Sequence, residues 1–168
     1  MVAELSRKSA LKLIVAADLP DRHPVRLLRD IYQREQRGNQ FDLPDYETFV
    51  GDRAPELLDF CLVLEPVQGD PYLDFTVQSK GRQIPGIETA EIAPGELYTQ
   101  RVAEEFAQER LMELASCIVL KNYRLTKANS ARRSSLNVKV YRGVFPVWQV
   151  ARKRSAAILM IAPRYVEL

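Results

Sequence analysis

Residues Leu136–Ala162 read LNVKVYRGVFPVWQVARKRSAAILMIA, and the fold turns on how this stretch is divided. Leu136, Val138 and Val140 alternate with Asn137, Lys139 and Tyr141, the period-2 pattern of a strand with one buried face. Arg142-Gly143 reads as a break, and a second extended segment runs from Val144 to Val150. The basic turn Arg152-Lys153-Arg154-Ser155 then leads into the apolar run Ala156–Ala162. A run of that length without a polar residue marks a central strand covered on at least one face. The stretch as a whole predicts a β-meander that closes an antiparallel sheet.

Upstream, Asn122–Ser134 is basic and polar, with room for a short strand at Tyr123–Thr126 and a loop. The longest helix is predicted from Glu96 to about Lys121. Its stripe is Val102, Ala103, Phe106, Ala107, Leu111, Leu114, Ala115 and Ile118, and Glu104, Glu105, Gln108, Glu109 and Glu113 cover the other face. Gly81–Gly95 is rich in glycine and proline and reads as irregular. Phe60–Glu65 and Tyr72–Gln78 form a hairpin about the turn sequence Gln68-Gly69-Asp70-Pro71. Before them lie an acidic loop, Phe41–Asp52, and a helical turn at Pro55–Asp59. A leading helix is predicted from Pro24 to Arg37, capped by Asp21–His23 and stopped at Gly38-Asn39. Its stripe is Val25, Leu28, Ile31 and Tyr32. Residues 1–23 form an N-terminal arm, with a short helix expected around Leu11–Ala17, and residues 24–168 form one domain that includes the leading helix 24–38.

A chain of 168 residues with 46% apolar content can bury a real core. No stretch reaches the roughly 18 apolar residues of a membrane span. Ala10–Leu19 comes nearest to a signal peptide, but Lys12 and Asp18 interrupt it and no small-residue cleavage site follows, so a cytosolic protein is expected. Cys61 and Cys117 lie in apolar segments without a Cys or His neighbour at ligand spacing, which reads as buried free thiols rather than a disulfide or metal pair.

The net charge of +2 hides an asymmetry. Phe41–Phe75 holds Asp42, Asp45, Glu47, Asp52, Glu56, Asp59, Glu65, Asp70 and Asp74 against Arg53 alone, whereas Leu114–Val166 is basic with no acid. A surface for nucleic acid would use the basic half, 114–166. The preferred reading is that these charges edge a sheet and mate with the acidic half, because no recognition helix or aromatic stacking motif accompanies them.

No catalytic motif is present. His23 is the only histidine. It could serve haem or zinc, but it reads as a solvated cap residue, and its setting before Pro24 is wrong for a base fixed in a cleft. There is no P-loop and no dinucleotide-binding glycine motif, and the carboxylates at 42–59 have no metal-ligand spacing. An enzyme is not expected, and no cofactor or metal is required by the sequence.

The order of elements, together with Leu27–Arg37, Leu43-Pro44, Pro55-Glu56-Leu57-Leu58 and Tyr141-Arg142-Gly143-Val144-Phe145-Pro146, resembles a bacterial PAS-like family of small, often stand-alone proteins. Two places depart from that pattern: Ser79-Lys80-Gly81 and Gly86-Ile87-Glu88 stand where the family usually has glycine-rich segments. The resemblance implies an α+β fold, a PAS-like five-stranded antiparallel sheet with helices on one face, behind an N-terminal helical extension. It also implies a sensory or protein-interaction module, with a homodimer as the expected assembly. The strands are expected near 60–65, 72–78, 136–142, 144–150 and 156–162.

A helix laid on a curved sheet leaves an apolar space suited to a small ligand. The candidate lining is Phe75, Val77, Phe106, Leu114, Val138, Val140 and Phe145, with Thr76, Gln78 or Tyr141 as inward polar groups if a bulge turns one in. Side chains filling the space completely is the alternative. Trp148 is either a core anchor or an interface residue. The candidate dimer interface is Val25, Leu28, Ile31 and Tyr32. With no output domain expected, a signal would pass to a separate partner or through the leading helix and arm. A nucleic-acid-associated regulator is the second reading, and an enzyme using the acidic-loop carboxylates the third.

Overall fold

The computed structural model describes residues 11–37, 43–51, 55–83, 92–102, 104–128 and 139–164. Among these residues six strands form one sheet: β1 (Leu11–Leu13), β2 (Cys61–Pro66), β3 (Phe75–Lys80), β4 (Arg124–Ala128), β5 (Lys139–Gln149) and β6 (Arg154–Arg164). Their order is β1-β4-β5-β6-β2-β3, and every pairing is antiparallel. Among the described residues two α-helices complete the α+β fold, α1 (Pro24–Arg37) and α2 (Glu104–Leu120).

The helices cover opposite faces. Val25, Leu28 and Tyr32 of α1 share a core cluster with Tyr141, Phe145 and Val147 of β5 and Ala156, Ile158 and Met160 of β6. Leu111, Leu114 and Cys117 of α2 share a second cluster with Val140, Val144, Ala157, Leu159 and Ile161. Successive residues of β6 therefore enter different layers, which is why the run Ala156–Ala162 has no polar position. The expectation of helices on one face is corrected accordingly. The α1 stripe finds its cover on the second apolar face of the same central strands. Each large aliphatic side chain buried this way contributes about 1.5–3 kcal/mol.

The supposed break at Arg142-Gly143 is the middle of β5, an uninterrupted strand paired with β6 along its whole length. Gly143 is required by packing. A Cβ there would lie 2.6 Å from the Phe145 ring and 3.2 Å from Val25 Cγ1, so glycine lets α1 and Phe145 close over the strand. The central sheet thus contains one long strand where two short ones were expected, and β4 takes the remaining place. The short helix expected around Leu11–Ala17 is instead the edge strand β1, followed by a 3-10 turn at Ala16–Asp18.

Helix α2 begins at Glu104 rather than Glu96, because residues 95–97 are engaged elsewhere. Gly95 N–H donates to Val77 O (2.8 Å) and Val77 N–H to Glu96 O (3.0 Å), which covers the outer edge of β3. The hairpin β2–β3 turns through Gln68 and Gly69, both with positive φ (55° and 73°). β3 starts at Phe75, later than Tyr72, since Pro71–Leu73 belongs to the turn.

His23 is not solvated. It is 6% exposed, its Nδ1 accepts the Val25 N–H (3.2 Å) at the start of α1, and its ring meets Tyr141 edge-on at 5.1 Å.

A buried polar centre beneath helix α2 as the candidate functional site

The α2 layer is largely apolar; Arg110 of α2 is buried in it, and so is a group centred on Arg142. Arg142 occupies the same side of β5 as Val140 and Val144, and its side chain is fully buried. Its Nη1 donates to Glu113 Oε2 of α2 (2.8 Å) and to Thr126 Oγ1 of β4 (3.1 Å). The Thr126 hydroxyl lies 3.3 Å from the same Glu113 oxygen and donates to it. Glu113 and Thr126 are 4% and 1% exposed. Three elements thus each contribute one member of a charged, hydrogen-bonded group inside the protein. Glu113 Oε1 has no hydrogen-bond partner among the described residues. Taking both charges out of water costs several kcal/mol per ion, offset by their contact in low dielectric.

This centre differs from the site expected from the sequence. Phe75, Val77, Leu114 and Val140 are brought together, in the cluster beneath α2 that also holds Leu62, Tyr98 and Leu159. Phe145 is not with them, for it points into the opposite layer against Tyr32 and Phe49. Phe106 is half-buried at the start of α2, with the Arg110 guanidinium 5.9 Å from its ring centre. Val138 lies outside the described residues. Of the inward polar groups considered, Gln78 instead bonds Glu65 and Gln149. Tyr141 joins the α1 layer.

The sequence missed the centre for two reasons. Arg142 continues the buried register of Val138 and Val140 and was masked by the supposed break after it. A charge on the buried parity of a strand is the signal that would have found it. Glu113 reads as a solvent-face residue among its acidic neighbours, yet it sits four residues before the buried Cys117 and shares its side of the helix.

The candidate dimer residues are also placed elsewhere. Val25, Leu28 and Tyr32 are wholly covered within one chain, and only Ile31 keeps some exposure. Tyr32 donates its hydroxyl proton to Pro146 O (2.8 Å), and burial pushes its ionisation well above the usual phenol range. A stripe so covered has no free area to offer a second copy.

Three arginines of the basic half pair with acids inside the fold. Besides the Arg142–Glu113 pair, Glu65 holds Arg154 Nη1 at 2.6 Å and Arg152 Nη2 at 2.8 Å. Burial alone would raise the Glu65 carboxyl, but the hydrogen bonds from Arg154 and Gln78 and the charge of Arg152 outweigh it and hold its pKa below the usual range. Lys121, Arg124 and Lys153 remain exposed.

Cys61 and Cys117 are buried free thiols, as the sequence indicated. Burial pushes Cys117 up to about 12, reinforced by the Glu113 charge, and Cys61 higher still, so both are inert as nucleophiles at neutral pH. Among the described residues no group of His, Cys, Asp or Glu could hold a metal ion, and no helix is long and apolar enough to cross a membrane. No family model, no curated protein and no solved structure matches this chain, and its chemistry is therefore read from its own geometry.

Proposed function

We propose that the chain is a cytosolic PAS-like sensory or interaction module, without catalysis of its own, that responds to a small anionic ligand or a protein partner through the polar centre beneath α2. Its architecture supports the PAS-like part. Leaving aside the short β1, five antiparallel strands follow in the order β4-β5-β6-β2-β3, and the segment leading into α2 lies over one face. The second helix layer and the sixth strand are additions to a plain five-stranded sheet with helices on one face.

The observation that carries the reading is the Arg142–Glu113–Thr126 group. A buried ion pair is seldom more stabilising than apolar residues of the same volume, so its retention in a largely apolar layer supports a use for it besides stability. A guanidinium seated between helix and sheet recognises a carboxylate or phosphate by paired hydrogen bonds. Here Glu113 supplies the internal carboxylate, and a ligand anion or a shift of α2 would replace it.

The test is native and denaturing mass spectrometry of the purified protein, followed by thermal-shift screening with anionic metabolites. A bound compound, or one that raises Tm and loses its effect in Arg142→Met, supports the sensor reading. A bare chain whose Tm none of the panel changes overturns it and leaves the interaction module, to be checked by affinity capture with Arg142→Met as the control.

A further inference from the structure

The outward face of α2 changes character along its length. In its first half it carries Glu105, Gln108 and Glu109, all exposed. One turn further on it becomes apolar. Met112, Val119 and Leu120 are 42%, 52% and 73% exposed, at the i, i+7 and i+8 spacing of one helix side. Ser116 lies between them, and its hydroxyl donates to Met112 O (2.6 Å), so it is already satisfied within the helix. The opposite side of α2, at Leu111, Leu114 and Cys117, is the one that covers the sheet. Adjacent exposed apolar side chains over more than two turns mark a contact surface.

The charges that frame this seam have opposite signs at its two ends. Glu105 and Glu109 precede it. Lys121 and Arg124 follow it, both exposed. Arg124 has the strand parity of Thr126, which bonds Glu113, so it projects on the α2 side of β4. It lies close enough to the helix for its charge to act on Cys117.

We propose that this face binds a second copy of the chain, the two α2 helices packing antiparallel about a two-fold axis at Ser116. That arrangement lays Met112 against Leu120 of the second copy, and Val119 between Met112 and Ser116 of the second copy. Ser116 meets its own counterpart, where a short side chain lets the helix axes approach. At about 1.5 Å per residue, Glu109 of the second copy falls roughly 4–5 Å beyond Leu120, level with Lys121 and Arg124. Each acidic half therefore meets a basic end, twice over. A parallel pairing would set acid against acid and base against base. A lipid surface fits the seam less well, because anionic headgroups would repel Glu105 and Glu109. A single helix face is smaller than an obligate interface, so the association is reversible and half complete in the range of about 1–100 µM. The seam is on the outer side of α2, with Arg142 beneath the helix, and the dimer does not depend on the function proposed above.

The test is sedimentation equilibrium of the full chain from about 1 to 500 µM, with circular dichroism on each variant. A concentration-dependent dimer is expected. Ser116→Arg and Val119→Glu, both on the outer face, should raise its dissociation constant at least about tenfold while the dichroism spectrum stays that of wild type. Orientation is read by oxidation. Ser116→Cys should form a disulfide-linked dimer, because position 116 meets itself, whereas Glu105→Cys should not, its two copies being about 33 Å apart. The native thiols Cys61 and Cys117 are buried and do not compete. A monomer at every concentration overturns the proposal and leaves the seam to a different protein. So does a dimer unaffected by either seam variant, or one in which position 105 cross-links as readily as position 116.

Discussion

At the scale of single residues, two positions in β5 decide how the layers close. Arg142 holds the α2 layer together by charge. Arg142→Ala leaves Glu113 buried without its partner and should cost about 3–5 kcal/mol in urea unfolding. The double change Arg142→Met with Glu113→Leu should restore most of that stability, because two apolar groups of similar volume need no mutual compensation. A double variant as unstable as the single one would show that the two side chains are not energetically coupled. The adjacent Gly143 works in the α1 layer by being small. Gly143→Ala must push the Phe145 ring and Val25 apart and should destabilise by about 1–3 kcal/mol, relieved in part by Phe145→Leu.

At the scale of elements, α1 is a core helix although it reads like a detachable one. Its fourteen residues would be marginal alone, and what fixes it is burial of Val25, Leu28 and Tyr32 on β5 and β6 together with the His23 cap and the Tyr32 hydroxyl bond. Leu28→Ala should therefore cost about 2–5 kcal/mol, and Leu28→Glu should unfold the chain instead of dissociating an assembly. Ile31→Glu, at a partly exposed position, should be tolerated within about 1 kcal/mol. Chemical denaturation and light scattering on the three variants distinguish the cases: equal loss of stability at positions 28 and 31, or a clean change of mass without loss of stability, would overturn this placement of α1.

At the scale of the whole molecule, charge links the acidic first half of the sequence to the basic second half. Glu65 on β2 gathers Arg152 and Arg154 from the turn before and the first residue of β6, tying hairpin β2–β3 to the central pair. Its folded pKa lies below the ordinary carboxylate value. The stabilisation is therefore present above the unfolded value of about 4.3 and is lost as pH falls through the folded one. Wild type should exceed Glu65→Gln in urea midpoint at pH 7, and the gap should shrink on going to pH 3. A gap independent of pH would mean that Glu65 acts through packing and not through its charge. Salt should narrow the gap at pH 7 only modestly, because the carboxylate is shielded from solvent.

What the sequence determined by itself was the set of apolar periodicities. Period 2 in Leu136–Tyr141 and in Tyr72–Gln78 indicates strands, and helical spacing in 24–37 and from 96 to about 121 indicates helices, the second of which starts only at Glu104, because local burial patterns repeat with the geometry of the element that carries them. The unbroken run Ala156–Ala162 already announced a central strand. What only the tertiary structure decided was which face each element covers. Whether a glycine ends a strand or admits a helix depends on what lies above it, and Gly143 meets Val25 from a part of the chain more than a hundred residues away. The polar centre was hidden for the same reason. Arg142, Glu113 and Thr126 look like ordinary surface residues one by one, and they acquire a shared chemistry only where β5, α2 and β4 meet and water is excluded.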